Sequence, residues 1–97
     1  MRIIAREPLR NFAVRHPQAK EPLDAWYQRV RRVEWKTPDD VKADYGAADI
    51  LPDQRIVFNI VGNHYRLVVR MNYHRQAAYI RFIGTNAEYD RIDATTI

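Results

Sequence analysis

The sequence predicts an α+β domain, in which N-terminal helices pack on one face of a small antiparallel β-sheet. In the first half, apolar residues recur at three- and four-residue spacing, as on one side of an amphipathic helix. In the second half, runs rich in β-branched residues alternate with short turn sequences. Helices collected early and strands late are typical of α+β domains. The 97 residues suffice for one such domain, covering residues 1–97.

Proline positions and apolar spacing indicate two helices near the N-terminus. Residues 1–5 form a short apolar stretch that suits an edge strand. Pro8 and Pro22 each fit the first turn of a helix, where a missing N–H is not needed. His16 precedes another proline and should end the first helix. The apolar stripe of the second helix is interpreted as core and consists of Leu23, Trp26, Tyr27, Val30 and Val33.

A third helix is predicted to be short. Thr37 and Asp40 have the spacing of a helix-capping pair, with Pro38 between them at the first helical position. Gly46 follows soon afterwards and limits the length of this helix. Residues 46–54 are then expected to form a loop.

The C-terminal half is predicted to be a β-meander. Its strands should cover residues 55–61, 65–73 and 77–83. Gly62 and Asn63 suit a two-residue hairpin turn, with glycine supplying the positive φ. Gly84 is expected to end the last strand. Thr85 and Glu88 have capping-box spacing, so a final helical turn should begin there.

Alternation along these strands predicts one sheet face rich in arginine. Successive side chains of a strand point to opposite faces, and the apolar sets should face the helices. The other face then collects Asn59, Arg66, Arg70, Tyr79 and Arg81. On the last strand the same alternation places Ile83 with this polar set and Phe82 on the opposite face. The face is either a solvated surface that arginines keep soluble, or an RNA-binding surface where arginines contact phosphates and tyrosine stacks on an unpaired base.

Composition narrows the functional classes without choosing among them. The formal net charge of +4 fits a polyanionic partner. The absence of cysteine excludes disulfides and cysteine metal sites and suits a cytoplasmic location. The three histidines fit no standard metal motif, so neither a metal nor another cofactor is predicted. No secretory signal or bilayer-spanning stretch is recognised, so no membrane association is expected.

Several segments resemble the HigB-type toxins of the RelE-like superfamily. The strongest are VFNIVGNHYRLVV (57–69) and YIRFIGTNAEYDRID (79–93), and EPLDAWY (21–27) and WKTPDDVKA (35–43) extend the similarity over essentially the whole chain. The resemblance implies a RelE-like α+β fold and a metal-independent endoribonuclease that cuts mRNA on the ribosome. It also implies a neutralising helix-turn-helix antitoxin of the HigA type. The chain would then associate with operator DNA only through this antitoxin.

The resemblance carries three candidate catalytic residues. Arg66 matches the strand arginine of the family, which would hold the scissile phosphate, and Tyr89 matches a tyrosine that is usual there. Position 86 is normally histidine in the family but is Asn86 here. RNA cleavage through the 2′-hydroxyl needs proton transfer, which histidine can perform near neutral pH and an amide cannot. The chain is therefore a weakened toxin, a natural variant that uses other groups, or a deliberately disarmed protein.

Two other functional classes remain open from the sequence. One is a noncatalytic RNA- or ribosome-binding module, in which the basic face binds RNA and Asn86 precludes turnover. The other is a protein-interaction domain whose basic face serves only an acidic segment of an antitoxin.

Overall fold

A computed structural model describes residues 1–97 as five strands and four α-helices. In chain order they are β1 (Arg2–Ile4), α1 (Glu7–Arg15), α2 (Lys20–Val30), α3 (Pro38–Asp44), β2 (Asp49–Leu51), β3 (Arg55–Ile60), β4 (Tyr65–Asn72), β5 (Ala77–Thr85) and α4 (Asn86–Tyr89). The strands form one sheet in the order β1-β5-β4-β3-β2. β1 runs parallel to β5, and every other neighbouring pair is antiparallel. The predicted α+β class is confirmed.

Local signals placed the helices correctly. Pro8 lies in the first turn of α1, and that helix ends at His16. α2 begins at Lys20, two residues before Pro22, because a single 3-10 turn leads directly into it. At α3, the Thr37 hydroxyl accepts a hydrogen bond from the backbone N–H of Asp40 at 3.3 Å, and the Asp40 carboxylate accepts one from Thr37 N–H at 3.2 Å. This is the predicted capping box.

The main core lies between the helices and the sheet face turned toward them, which we call the inner face. Trp26 is 2% exposed and packs edge-on against Phe58 of β3, with ring centroids 5.4 Å apart. Leu23 and Val30, from the same helical stripe, are also buried. Tyr27 is only partly buried at the margin of this core. Val33 was predicted on the same helix but lies beyond its end at Val30, where it is also partly buried. The predicted stripe is therefore core along its centre.

A second, smaller core lies on the opposite face of the sheet, which we call the outer face. Val57 and Val68 are cross-strand partners there, and both are fully buried. They contact Ala94 of the C-terminal segment, residues 90–97, which folds back across the sheet. Arg55 is buried beside this cluster and donates hydrogen bonds to the Ile97 carbonyl at 3.0 Å and to Asp53 at 2.8 Å. The centre of the outer face is thus covered by protein.

Two predicted connections differ in the structure. Residues 46–54 are not only a loop, because Asp49–Leu51 forms the edge strand β2 against β3. The turn between β3 and β4 spans residues 61–64 instead of two residues, since Ile60 and Tyr65 are the last pair of the ladder. Its positive φ values fall at Val61 and Gly62, so only the role of the glycine is confirmed.

The last strand was predicted with the wrong alternation. A β-bulge at Arg81 leaves that residue without a cross-strand partner, because Phe82 pairs with Val68 and Ile80 with Val69. An extra residue in a strand shifts all that follow to the other face. As a result Ile83 packs on the main core and Phe82 on the outer-face cluster, the reverse of the prediction.

Gly84 does not end β5, which continues to Thr85. Gly84 pairs with Arg66, and a Cβ atom at position 84 would lie 2.5 Å from Cζ of Phe82. The glycine therefore makes room for the Phe82 ring.

Replacing Gly84 by alanine is expected to lower the free energy of unfolding by about 1 kcal/mol, because the Phe82 ring must move out of its packed position. Gly46→Ala is the matched control, since its Cβ would meet only a carbonyl oxygen at 4.0 Å. Urea denaturation of both variants measures the difference. Equal stability of the two variants would contradict this explanation of Gly84.

Candidate functional site

The polar residues predicted for the outer face divide into two groups along the sheet. Asn59 and Arg66 are direct cross-strand partners on β3 and β4, and Arg70 is the partner of Tyr79 on β5. Between these pairs lies the covered cluster around Val68. The outer face is therefore neither uniformly solvated nor uniformly basic.

The first group is built around Arg66. The guanidinium carbon of Arg66 lies 6.0 Å from the ring centroid of Tyr89, which α4 places over the outer face. The Tyr89 ring also lies 6.4 Å from the ring of Phe82. Nη1 of Arg66 and Oδ1 of the neighbouring Asn59 are buried without hydrogen-bond partners. Arg66 is nevertheless partly exposed and forms no ion pair, so its guanidinium can bind an anionic ligand.

The second group surrounds a depression of about 270 Å³ lined by Arg70, Tyr79, Arg81 and Asn72. Arg70 lies 3.6 Å from the Asp53 carboxylate. The hydrogen bond from Arg55, with the added charge of Arg70, holds the pKa of Asp53 below its usual value. Arg81 is exposed at the bulge and forms no ion pair. Arg81 is thus the freest cation of this group.

Asn86 lies at the end of the sheet, nearer along the strands to Arg66 than to Tyr79. It is the first residue of α4 and is two residues from Gly84, the partner of Arg66. Tyr79 is seven residues away along β5, roughly 20 Å at the usual strand rise. The Asn86 side chain donates a hydrogen bond to the Asn63 carbonyl, and its backbone N–H donates one to His64 at 3.2 Å. Asn86 therefore ties α4 to the β3–β4 turn.

The structure also brings two histidines to position 86, which the sequence did not predict. His16, His64 and Asn86 line the same hollow at this end of the sheet. His16 stacks on Phe12, with ring centroids 4.3 Å apart. The hydrogen bond from the Thr85 N–H lowers the pKa of Glu88, and the charge of His16 makes a smaller contribution. The two histidines are 48 residues apart in the chain, and only the tertiary fold joins them.

No group of three histidine, aspartate or glutamate side chains is placed to hold a metal ion. The helices are too short and too polar to cross a bilayer.

Comparison with known proteins identifies the family. The sequence model of one family, described as HigB_toxin, a RelE-like toxic component of a toxin-antitoxin system, matches residues 19–92. The chain belongs to the HigB toxin family. Arg66, Asn86 and Tyr89 all lie within the matched range, and the resemblance seen in the sequence is confirmed.

Relatives cover nearly the whole length of the chain. The mRNA interferase toxin HigB of Escherichia coli strain K12 is 33% identical over 92 residues, which are 93% of this chain and 88% of that protein. The mRNA interferase HigB of Shigella flexneri has the same identity and coverage. A more distant mRNA interferase HigB, from Escherichia coli O6:H1, is 22% identical over 94 residues. The similarity therefore extends over most of this chain and most of the two relatives.

Proposed function

We propose that the chain is a metal-independent endoribonuclease that cleaves mRNA on the ribosome and is neutralised by a helix-turn-helix antitoxin. Family membership makes it the toxin of a toxin–antitoxin pair. Its relatives in Escherichia coli and Shigella flexneri are named as mRNA interferases. The observation that carries the proposal is the Arg66 guanidinium, which is partly exposed on the outer face, forms no ion pair and lies beside Tyr89. A phosphate is an anion that such a guanidinium can bind through charge-assisted hydrogen bonds.

The two groups of the outer face fit an extended RNA strand. Arg66 would hold the scissile phosphate, while Arg70 and Arg81 contact a phosphate further along the strand. Tyr79 is partly exposed in the depression of the second group and offers a surface on which an unpaired base can stack. Asn59 would contact the strand next to Arg66.

Metal-independent cleavage of RNA uses the 2′-hydroxyl of the ribose as the nucleophile. The 2′-oxygen attacks phosphorus, the bond to the 5′-oxygen breaks, and a cyclic phosphate and a 5′-hydroxyl result. Arg66 stabilises the charge that develops on the phosphate, and the Tyr89 hydroxyl can donate a hydrogen bond to it. A base must accept the 2′ proton, and an acid must protonate the leaving oxygen. Asn86 can orient these groups but cannot exchange protons, so the reaction should be slow.

One observation favours a second candidate function, a noncatalytic RNA- or ribosome-binding module. The Asn86 amide is engaged with the Asn63 carbonyl, which gives that side chain a structural role at the end of the sheet. In this module the arginines of the outer face bind RNA, and no strand is cut. The two functions differ in turnover and not in affinity for RNA.

Replacing Arg66 by alanine is expected to weaken RNA binding and cleavage by roughly 10- to 100-fold, because a charge-assisted contact contributes about 1.5–3 kcal/mol. Both quantities should be measured in the chain as it stands and in an Asn86→His background. Arg32→Ala is the matched control, since Arg32 is exposed on the helical side. Circular dichroism checks folding. Unfolding of the Arg66 variant, or cleavage equal to that of the control, would remove Arg66 from the site.

A further inference from the structure

A groove between α1 and α2 has no role in the RNA site. It encloses about 400 Å³ and is lined on its apolar side by Leu9, Ala13, Val14, Leu23 and Tyr27. Val14 is 80% exposed, which makes it the most exposed large apolar side chain of the protein. The groove lies on the helical layer, whereas Arg66 lies on the outer face of the sheet. The sheet and the main core separate the two surfaces.

The rim of this groove is basic. Arg6, Arg10 and Lys20 line it, against the single carboxylate of Asp24. Asp24 is shared by Lys20 at 3.2 Å and Arg6 at 3.5 Å. The Arg6 guanidinium carbon also lies 3.8 Å from the centroid of the Tyr27 ring. Arg10 forms no ion pair and is exposed. A ligand that complements this groove must therefore have both apolar and acidic groups.

We propose that this groove docks an amphipathic helix of the antitoxin, with aliphatic anchors against Val14 and carboxylates against Arg10. The inference rests on the proposed function for the existence of the antitoxin. A groove between two helices fits the spaced anchors of a third helix, and the three cations favour an acidic segment. Docking here would hold the antitoxin on the face opposite Arg66. Antitoxin binding and RNA contact are then separable by mutation.

The test uses three substitutions at exposed helical positions, of which Val14→Glu and its control make the same charge change. Val14→Glu removes the apolar anchor and repels carboxylates, and Gln28→Glu is the control outside the groove. The probe is the helix-turn-helix protein encoded beside the gene, titrated by calorimetry. Val14→Glu and Arg10→Glu should each weaken its binding at least tenfold, Gln28→Glu less than twofold, and RNA cleavage should not change. If Val14→Glu binds the antitoxin as tightly as the unsubstituted protein does, the groove is not the docking site, and the proposed function is unaffected.

A second measurement locates the occupant directly. The chain has no cysteine, so Val14→Cys introduces a single thiol for a photo-crosslinker, and Gln28→Cys serves as the control. Crosslinks from position 14 alone, mapped to one helical segment of the antitoxin, are expected. Crosslinks to a second copy of this chain would overturn the proposal in favour of self-association. If the unsubstituted protein neither binds the antitoxin nor cleaves RNA, the proposed function itself fails.

Discussion

Replacing Asn86 by histidine is expected to raise the rate of RNA cleavage by ~10²–10⁴-fold, the usual contribution of a general acid or base. The proposal that position 86 is catalytic rests on its match to the family histidine and on its place at the sheet end nearer to Arg66. An imidazole exchanges protons near neutral pH, so the rate of the variant should depend on pH between about 5 and 8.

The experiment pairs growth with mapping of RNA ends. Both forms are induced in the same host, and cleavage sites are mapped in ribosome-bound messages. Asn63→His is the matched control, because Asn63 is exposed in the same hollow but is not the family position. Equal and strong toxicity of all forms would show that position 86 is not catalytic. Equal absence of toxicity, with folded proteins, would favour the noncatalytic binding module.

Replacing Trp26 by alanine is expected to lower the free energy of unfolding by about 3–5 kcal/mol. Trp26 is fully enclosed in the main core and packs on Phe58. A loss of this size is a large part of the stability of a small domain. Guanidinium denaturation can be followed by the fluorescence of Trp35, the other tryptophan. A Trp26→Ala protein that melts at the unchanged temperature would contradict the buried position.

Trp26→Phe separates packing from hydrogen bonding. Nε1 of Trp26 is buried without a hydrogen-bond partner. Phenylalanine keeps an aromatic ring against Phe58 and removes an N–H that forms no hydrogen bond. The loss in free energy of unfolding should therefore be less than half that of the alanine variant. A phenylalanine variant as unstable as the alanine variant would mean that the indole shape itself, and not apolar contact, stabilises the core.

Sequence patterns predicted those features that depend on near neighbours. Pro8, Thr37 and Thr85 marked helix starts because the preferences of proline and of capping side chains act within one turn. The apolar stripe of α2 predicted its buried face for the same reason. β2 was missed because three residues at an edge, Asp49–Leu51, are too few to show a clear alternation.

The candidate site was predicted less completely, because its parts meet through distant contacts. Asn59 and Arg66 followed from strand alternation, and their pairing is a finding of the structure. His16 and His64 meet at position 86 through the packing of α1 against the sheet end. The C-terminal segment, held to Arg55 by the Ile97 carbonyl, closes the middle of the outer face. Neither contact can be predicted from the spacing of residue types along the sequence.

The bulge at Arg81 has a consequence for how the length of this strand can vary. Because Phe82 and Ile80 pair with consecutive residues of β4, deleting position 81 would keep each of them in its own layer. Deleting Ile80 instead would push Arg81 toward the main core, where a charge is poorly tolerated. Position 81 is therefore the place where β5 can lose one residue without repacking. Homologous chains whose β5 is one residue shorter are expected to lack the residue at position 81, and with it one cation of the outer face.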